Sequence, residues 1–315
     1  MKILITGGAG FLGSNLVKKL YKKHELYVID DLSTGDYNNI KELIENNRII
    51  FKKISITDSK ITEIIKNEKF EMIYNFACPA SPKYYLKYPI ETFNSSVIGI
   101  NNILNGIIGT NTRVLHTSTS EIYGDALEIP QKENYFGNCN PIGPRACYDE
   151  GKRAAETLIY DYIRLYNLDI RVVRIFNTYG IGMRNDDGRV ISNFVNAAIK
   201  NNPIRIYGTG NQTRSFCYVD DTIDFIEKYM NSEVAINHPI NVGNPSEISI
   251  KDLAYKIIKI TKSKSKIINT SEMIDDPQRR KPDISCAYSL LKWSPNISLD
   301  QGLNMYIDYV LNKKI

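Results

Sequence analysis

Gly7, Gly10 and Gly13 recur every third residue, directly after the apolar run Ile3–Thr6 and into the amphipathic stretch Phe11–Lys23. This spacing constrains the fold more tightly than anything else in the chain. A strand must reverse into a helix through a turn with no side chains in the way. Backbone N–H groups at the helix start are then left open to an anion such as a pyrophosphate. The next strand-like run, Leu26–Ile29, ends on Asp30. A carboxylate there accepts hydrogen bonds from ribose hydroxyls and repels a 2′-phosphate. The stretch Asp31–Asn39 contains no Arg or Lys to hold such a phosphate, so the expected cofactor is NAD.

Further buried-strand runs follow at Ile49–Ile54, Met72–Phe76, Val114–Thr117 and Arg171–Phe176, with helical patterns between them. This alternation predicts an α/β fold with a doubly wound parallel Rossmann sheet. Residues 1–179 are read as the cofactor-binding domain. Residues 180–315 are read as a smaller substrate-binding α/β region, with Ile240–Val242 returning a strand to the main sheet. Helices are expected at Val190–Lys200, Asp221–Met230 and Ser249–Ile260, the last with Ser249 as N-cap. Two long helical segments, Pro89–Ile108 and Asp149–Tyr166, are apolar on more than one face and are read as a homodimer interface.

The bulk composition narrows the function. A formal net charge of +5 with scattered lysines gives no nucleic-acid patch. No apolar stretch reaches the ~18 residues of a membrane span, and Met1-Lys2 runs straight into a strand, so neither a span nor a leader is expected. The 5 cysteines include no Cys-x-x-Cys pair. Neither a disulfide framework nor a metal site is expected, and a cytoplasmic location fits. Cys78 has no His near it in sequence, which argues against a thiol nucleophile.

Tyr148 and Lys152 lie one helical turn apart, so both side chains share a face. An ammonium near a phenol favours the phenolate, and such a Tyr can take a proton from a sugar hydroxyl as hydride leaves. Tyr37, Tyr255, Tyr288 and Tyr309 also have Lys four residues on. Only Tyr148 follows a strand end bearing Ser118 and Thr119. The segment Asn75–Ser81 follows the fourth strand, where small residues such as Ala77 admit a cofactor ribose.

The glycine turn, the Ser-Thr pair after the fifth strand and Tyr-x-x-x-Lys together resemble the extended short-chain dehydrogenase/reductases. Within them, Asn140–Arg153 and Arg280–Asp283 are most similar to the branch that decarboxylates UDP-glucuronate, and the resemblance covers nearly the whole chain. It implies oxidation at C4 by NAD+ with Tyr148 as base and Lys152 in support, loss of CO2 from the resulting β-keto acid, protonation at C5 and return of the hydride. UDP-xylose is the implied product. The implied catalytic set is Thr119, Ser120, Glu121, Tyr148 and Lys152, with Glu121 beside C5. The cofactor set is Gly7, Gly10, Phe11, Leu12, Gly13, Asp30, Ile56, Ala77, Ser118, Tyr148 and Lys152. The substrate set is Ser81, Tyr85, Asn177, Arg189, Val190, Tyr207, Gln212, Arg214 and Arg280.

Position 120 separates related activities. The similar 4,6-dehydratases carry an Asp before the Glu, which supplies the acid that expels a C6 hydroxyl. Ser120 is no such acid, and the similar 4-epimerases lack the Glu. A dehydratase or 4-epimerase is therefore the alternative, with a non-catalytic NAD-binding scaffold behind it. Ser55, Asn75 and Ser96 depart from the family's usual Asp, His and Asn, and Gly180–Met183 lacks its usual Arg, with Arg184 close by. Arg279–Lys281 is expected in a loop fixed by Asp275, Asp276, Pro277, Pro282 and Asp283.

Overall fold

The computed structural model describes residues 1–234, 237–271 and 277–312; Asp275 and Asp276 lie outside the described residues. The first half alternates β1 (Lys2–Thr6), α1 (Phe11–Leu20), β2 (Glu25–Ile29), α2 (Lys41–Glu45), β3 (Ile50–Lys52), α3 (Lys60–Glu68), β4 (Met72–Asn75), α4 (Pro82–Tyr85), α5 (Pro89–Ile107), β5 (Arg113–Thr119), α6 (Ala146–Tyr166) and β6 (Ile170–Ile175). A seven-stranded sheet runs from the strand Ile240–Val242 through β6, β5, β4, β1 and β2 to β3. Every neighbouring pair is parallel. The chain winds outward one way through β2 and β3 and the other way through β5 and β6. The strand order therefore reverses between β1 and β4, which opens a crevice at their carboxyl ends.

The central strands are buried on both faces, as the near-continuous apolar runs of parallel strands require. One face packs on Leu16, Val17 and Leu20 of α1 and on Phe225, Ile226 and Tyr229 of the helix Val219–Asn231. The other packs on Ile61 and Ile65 of α3, Ile100, Ile103, Leu104 and Ile107 of α5, and Ala155 and Ile159 of α6. The helix Val219–Asn231 thus packs with α1 although it lies far beyond β6 in the chain.

Several boundaries differ from the sequence reading, such as the third strand, which spans only Ile50–Lys52, and three of them bear on the site. α1 stops at Leu20, because Lys22 and Lys23 belong to the turn that feeds β2. β5 continues through Thr119, so the Ser-Thr pair lies inside the strand end. α6 begins at Ala146, which puts Tyr148 in its first turn. Ser249 caps its helix as expected, its hydroxyl accepting from the Asp252 N–H.

Arg279–Arg280 is a short strand, which corrects the expected loop. It pairs with Thr213–Ser215, which pairs on its other edge with Glu247–Ser249. In this small sheet Arg280 lies opposite Arg214, and both are buried. Several flanking elements have no counterpart in the sequence reading, among them α2, α3, α4, the strands Ile204–Tyr207 and Ile267–Thr270, and the helices Ser285–Leu291 and Leu299–Asn312.

Candidate active site

A cleft of about 370 Å³ follows the sheet's carboxyl edge, and every expected site residue lines it. At its floor Gly7 takes φ +69°, and a Cβ there would sit 2.8 Å from the Ala77 nitrogen. A Cβ at Gly13 would come within 2.2 Å of the Gly7 carbonyl oxygen. Side chains at these positions would force α1 away from the strand edge, so the turn is a cradle only glycine can make. Gly10 caps α1 without a side-chain hydrogen bond, leaving the first-turn N–H groups of Phe11, Leu12 and Gly13 facing the cleft.

Asp30 accepts from the Ala9 N–H and the Leu32 N–H, each at 2.9 Å. Burial pushes its carboxyl up, against these backbone donors. Each oxygen keeps a lone pair for a ribose hydroxyl. A dinucleotide fits this cradle on chemistry: open N–H groups for the pyrophosphate, then a fixed carboxylate for the ribose. Ile56 and Ala77 flank it. At the departing positions Ser55 bonds Thr57 at 3.0 Å, and Asn75 ties Thr6 on β1 to His116 on β5. Ser96 meets the Cys78 thiol at 3.2 Å. Arg184 lines the cleft but is paired with Asp186 at 3.0 Å.

Tyr148 and Lys152 are both buried, whereas Tyr37, Tyr255 and Tyr288 are exposed. The tertiary structure thus picks one Tyr-x-x-x-Lys among several. Lys152 Nζ donates to the Thr117 carbonyl at 2.8 Å, where burial pulls the amine down. Burial also pushes the Tyr148 phenol up, opposed by a hydrogen bond from Thr119. The expected lowering by Lys152 is therefore not what governs this phenol: burial sets the direction. Ser118 donates to Glu156, which also takes Arg174, fixing β5 against α6.

The other end of the cleft is charged. Thr119 Oγ1 accepts from the Glu121 N–H at 3.2 Å and pins the single turn Ser120–Tyr123. Glu121 Oε2 takes Arg280 Nη2 at 2.7 Å and a short contact from Arg145 Nη2. Burial raises the Glu121 carboxyl, but Arg280, Arg145 and Arg214 outweigh burial and hold it below its ordinary range. Arg280 also reaches Asn177 Oδ1 at 3.1 Å. Ser120 is buried beside Glu121.

Farther out, Arg189 donates to the Ala80 carbonyl at 3.1 Å, and Val190 opens the helix that follows. Ser81 donates to the Asp187 carbonyl. Gln212 holds the Tyr207 carbonyl at 2.8 Å, leaving the Tyr207 ring exposed at the rim. Tyr85 stacks on Tyr148 with ring centroids 5.2 Å apart, and its buried hydroxyl has no partner within the chain. Arg145 and Asp149 had no assigned role in the sequence. Their place beside Tyr148 was visible there; their approach to Glu121, from another element, was not. Among the described residues no cluster of His, Cys, Asp and Glu could hold a metal ion.

The sequence profile of the GDP-mannose 4,6 dehydratase family matches residues 4–306. UDP-glucuronic acid decarboxylase 6 of Arabidopsis thaliana is 45% identical over 305 residues, covering 96% of this chain and 87% of the relative. The chain belongs to this family of UDP-glucuronic acid decarboxylases. UDP-glucuronic acid decarboxylase 1 of Danio rerio is 44% identical, across 98% of this chain and 72% of its own length. UDP-glucuronic acid 4-epimerase from Bacillus cereus, solved with UDP-glucuronic acid and NAD, superposes with TM-score 0.89 at 26% identity, covering 99% of this chain and all of that one. UDP-glucose 4-epimerase of Thermotoga maritima, solved with UDP-glucose, reaches TM-score 0.91 at 27% identity over 100% of both chains. The decarboxylases and these epimerases thus share one scaffold, so the activity lies in side chains at the cleft.

Proposed function

We propose that this chain converts UDP-glucuronate to UDP-xylose and CO2, using NAD+ that is regenerated within each turnover. The observation that carries this reading is the pairing of Ser120 with an arginine-held Glu121. The site offers guanidinium groups to a sugar carboxylate, and position 120 holds no acid to expel a hydroxyl. The two oxidation-state changes cancel, so no external reductant is consumed.

Held at the cradle of Gly7, Gly10 and Gly13 with Asp30 on its ribose, NAD+ would supply a reversible hydride acceptor for C4. Tyr148 takes the O4 proton as C4 becomes a ketone, and returns it at the end. Thr119 shares that hydroxyl and keeps the phenol oriented. Lys152, held on the Thr117 carbonyl, places its positive charge under the site and favours the phenolate once the cofactor's own charge adds to it. The C4 ketone lies β to the C6 carboxylate. Breaking the C5–C6 bond sends its electron pair through C5 onto the C4 oxygen as an enolate, and CO2 departs. Glu121 orders the proton source that closes C5. Arg214, Arg280 and Arg189 balance the diphosphate, with planar forks suited to paired oxygens. Asn177, Ser81, Tyr85 and Val190 shape the sugar pocket, and Tyr207 and Gln212 receive the uridine. Residues 1–179 act as the cofactor half and 180–315 as the substrate half.

We further propose a homodimer through α5 and α6. Ile90, Phe93, Ile98 and Leu165 are exposed on these two helices. A cytoplasmic setting suits the free cysteines. No helix among the described residues is long and apolar enough to cross a membrane.

A proton NMR time course of the enzyme with NAD+ and UDP-glucuronate tests the function. UDP-xylose and CO2 must accumulate without net NADH. Turnover of UDP-glucose with UDP-glucuronate untouched would overturn the reading in favour of an epimerase or dehydratase.

A further inference from the structure

Asp149 is a buried carboxyl that the mechanism above does not use. It sits in the first turn of α6, and its Oδ1 has no hydrogen-bond partner within the chain. Its Oδ2 lies 3.8 Å from Nε of Arg145, whose Nη2 is the group that meets Glu121. The same guanidinium lies over the Tyr85 ring, 5.8 Å from its centroid, and Tyr85 stacks on Tyr148. One guanidinium is thus shared by the buried Asp149 and the largely enclosed Glu121, and seated against the ring that supports the reacting phenol.

We propose that Asp149 is a positioning residue that governs how far Arg145 is released to Glu121 and to the carboxylate of the incoming sugar. The inference rests on the UDP-glucuronate reading and adds a control to that same site. As an uncharged acid, Asp149 makes little demand on Arg145, and the fork serves the cleft. As a carboxylate with an empty buried oxygen, it draws Nε toward itself and adds negative charge beside Glu121, so a sugar carboxylate meets a weaker cation.

The charged and titratable neighbours support a switch near neutral pH. Glu121 from the turn after β5, Arg280 from the small sheet, and Arg145 and Glu150 from around its own helix start all act on Asp149. Tyr85 of α4, Cys139 of the preceding loop and Cys147 also feel its charge. Burial first, then the Glu121 charge, pushes the Asp149 carboxyl up to about 7, with Arg145 and Arg280 opposing. The acid form therefore prevails below that pH and the carboxylate above it.

The test measures binding by calorimetry at pH 6.5 and pH 8.5, in NAD+-loaded protein carrying Tyr148→Phe to prevent turnover. UDP-glucuronate is expected to bind roughly sixfold more weakly at the higher pH, the factor that a one-unit rise of the Asp149 pKa on binding gives across this window. UDP-glucose, with the same diphosphate ester and no carboxylate, is expected to change less than about twofold. Adding Asp149→Asn must abolish the UDP-glucuronate change. Circular dichroism reports folding, and Asp149→Ser serves with the same expectation if Asp149→Asn does not fold. A pH effect that survives the substitution, or that UDP-glucose shares, overturns the inference. Absence of UDP-xylose from the wild-type enzyme would instead overturn the functional reading, so the two failures are distinct.

Discussion

The two ends of the cleft are built on opposite principles. At the cofactor end the anion cradle is local. Gly7, Gly10 and Gly13 belong to one turn, and Asp30 is held by N–H groups of Ala9 and Leu32. At the substrate end the charged cluster is drawn from distant segments. Glu121 follows β5, Arg145 precedes α6, and Arg280 comes from a small sheet near the end of the chain. The first end is fixed by backbone geometry and admits any dinucleotide with free ribose hydroxyls. The second is a balance of buried charges, in which each member's position depends on the others. On the proposed function, the cradle serves a cofactor common to related enzymes, and the choice of reaction rests where the chain brings distant segments together.

Substitutions can break this comparison at either end. The largest effect is expected where both ends meet, at Tyr148. Tyr148→Phe removes the proton acceptor and should lower kcat by roughly 10³-fold with the fold intact. Unchanged turnover in a stopped CO2 assay would refute the mechanism. Next comes the charged end. Glu121→Gln should reduce kcat by about 10²-fold and leave NAD+ affinity untouched. A change in NAD+ affinity measured by fluorescence titration would show that the two ends are not separable. The converse change, Asp30→Ala, strips two backbone N–H groups and the ribose of their acceptor. It should weaken NAD+ binding by roughly tenfold while the KM for UDP-glucuronate at saturating cofactor stays put.

Two smaller effects sharpen the picture. His116 is fully buried beside Asn75, and desolvation, then the Lys152 charge, holds its imidazole well below the ordinary 6.5. A group depressed in this way contributes stability above 6.5 that is lost as pH falls toward its folded value. Urea midpoints should therefore drop below about pH 6.5, and His116→Gln should flatten that slope. The smallest effect is expected at Gln131. Its buried side chain takes the Lys281 N–H at 2.8 Å and reaches the Arg279 carbonyl, bracing the strand that presents Arg280. Gln131→Ala should raise the KM for UDP-glucuronate about fivefold with little change in kcat. A loss confined to kcat would mean that the strand does not act through Arg280.

Much of the cofactor end was legible in sequence because its physics is short-range. A glycine triplet after an apolar run, then an acid after the next, defines a turn and its ligand together. The parallel strands were legible for the same reason, since strands buried on both faces must be apolar throughout. α3 was harder, because Ile61 and Ile65 form only a brief apolar stripe among polar residues. The sequence places Arg280 among the substrate residues, yet its run reads as a loop. Two residues are too few to show a strand period, and the pairing with Thr213–Ser215 is a long-range event.

The sequence by itself determined the alternation of strands and helices, the glycine cradle, the carboxylate that follows β2 and the candidates for the reactive side chains. Each depends on residues close together, where steric and hydrogen-bonding rules act on the local backbone. Only the tertiary structure decided which Tyr-x-x-x-Lys is buried, that desolvation rather than Lys152 governs the phenol of the bare chain, and that Glu121 and Asp149 share one arginine. Those outcomes follow from burial and from charges a few ångströms apart in space but far apart in the chain, and the energy of a charge depends on its surroundings more than on its neighbours in sequence.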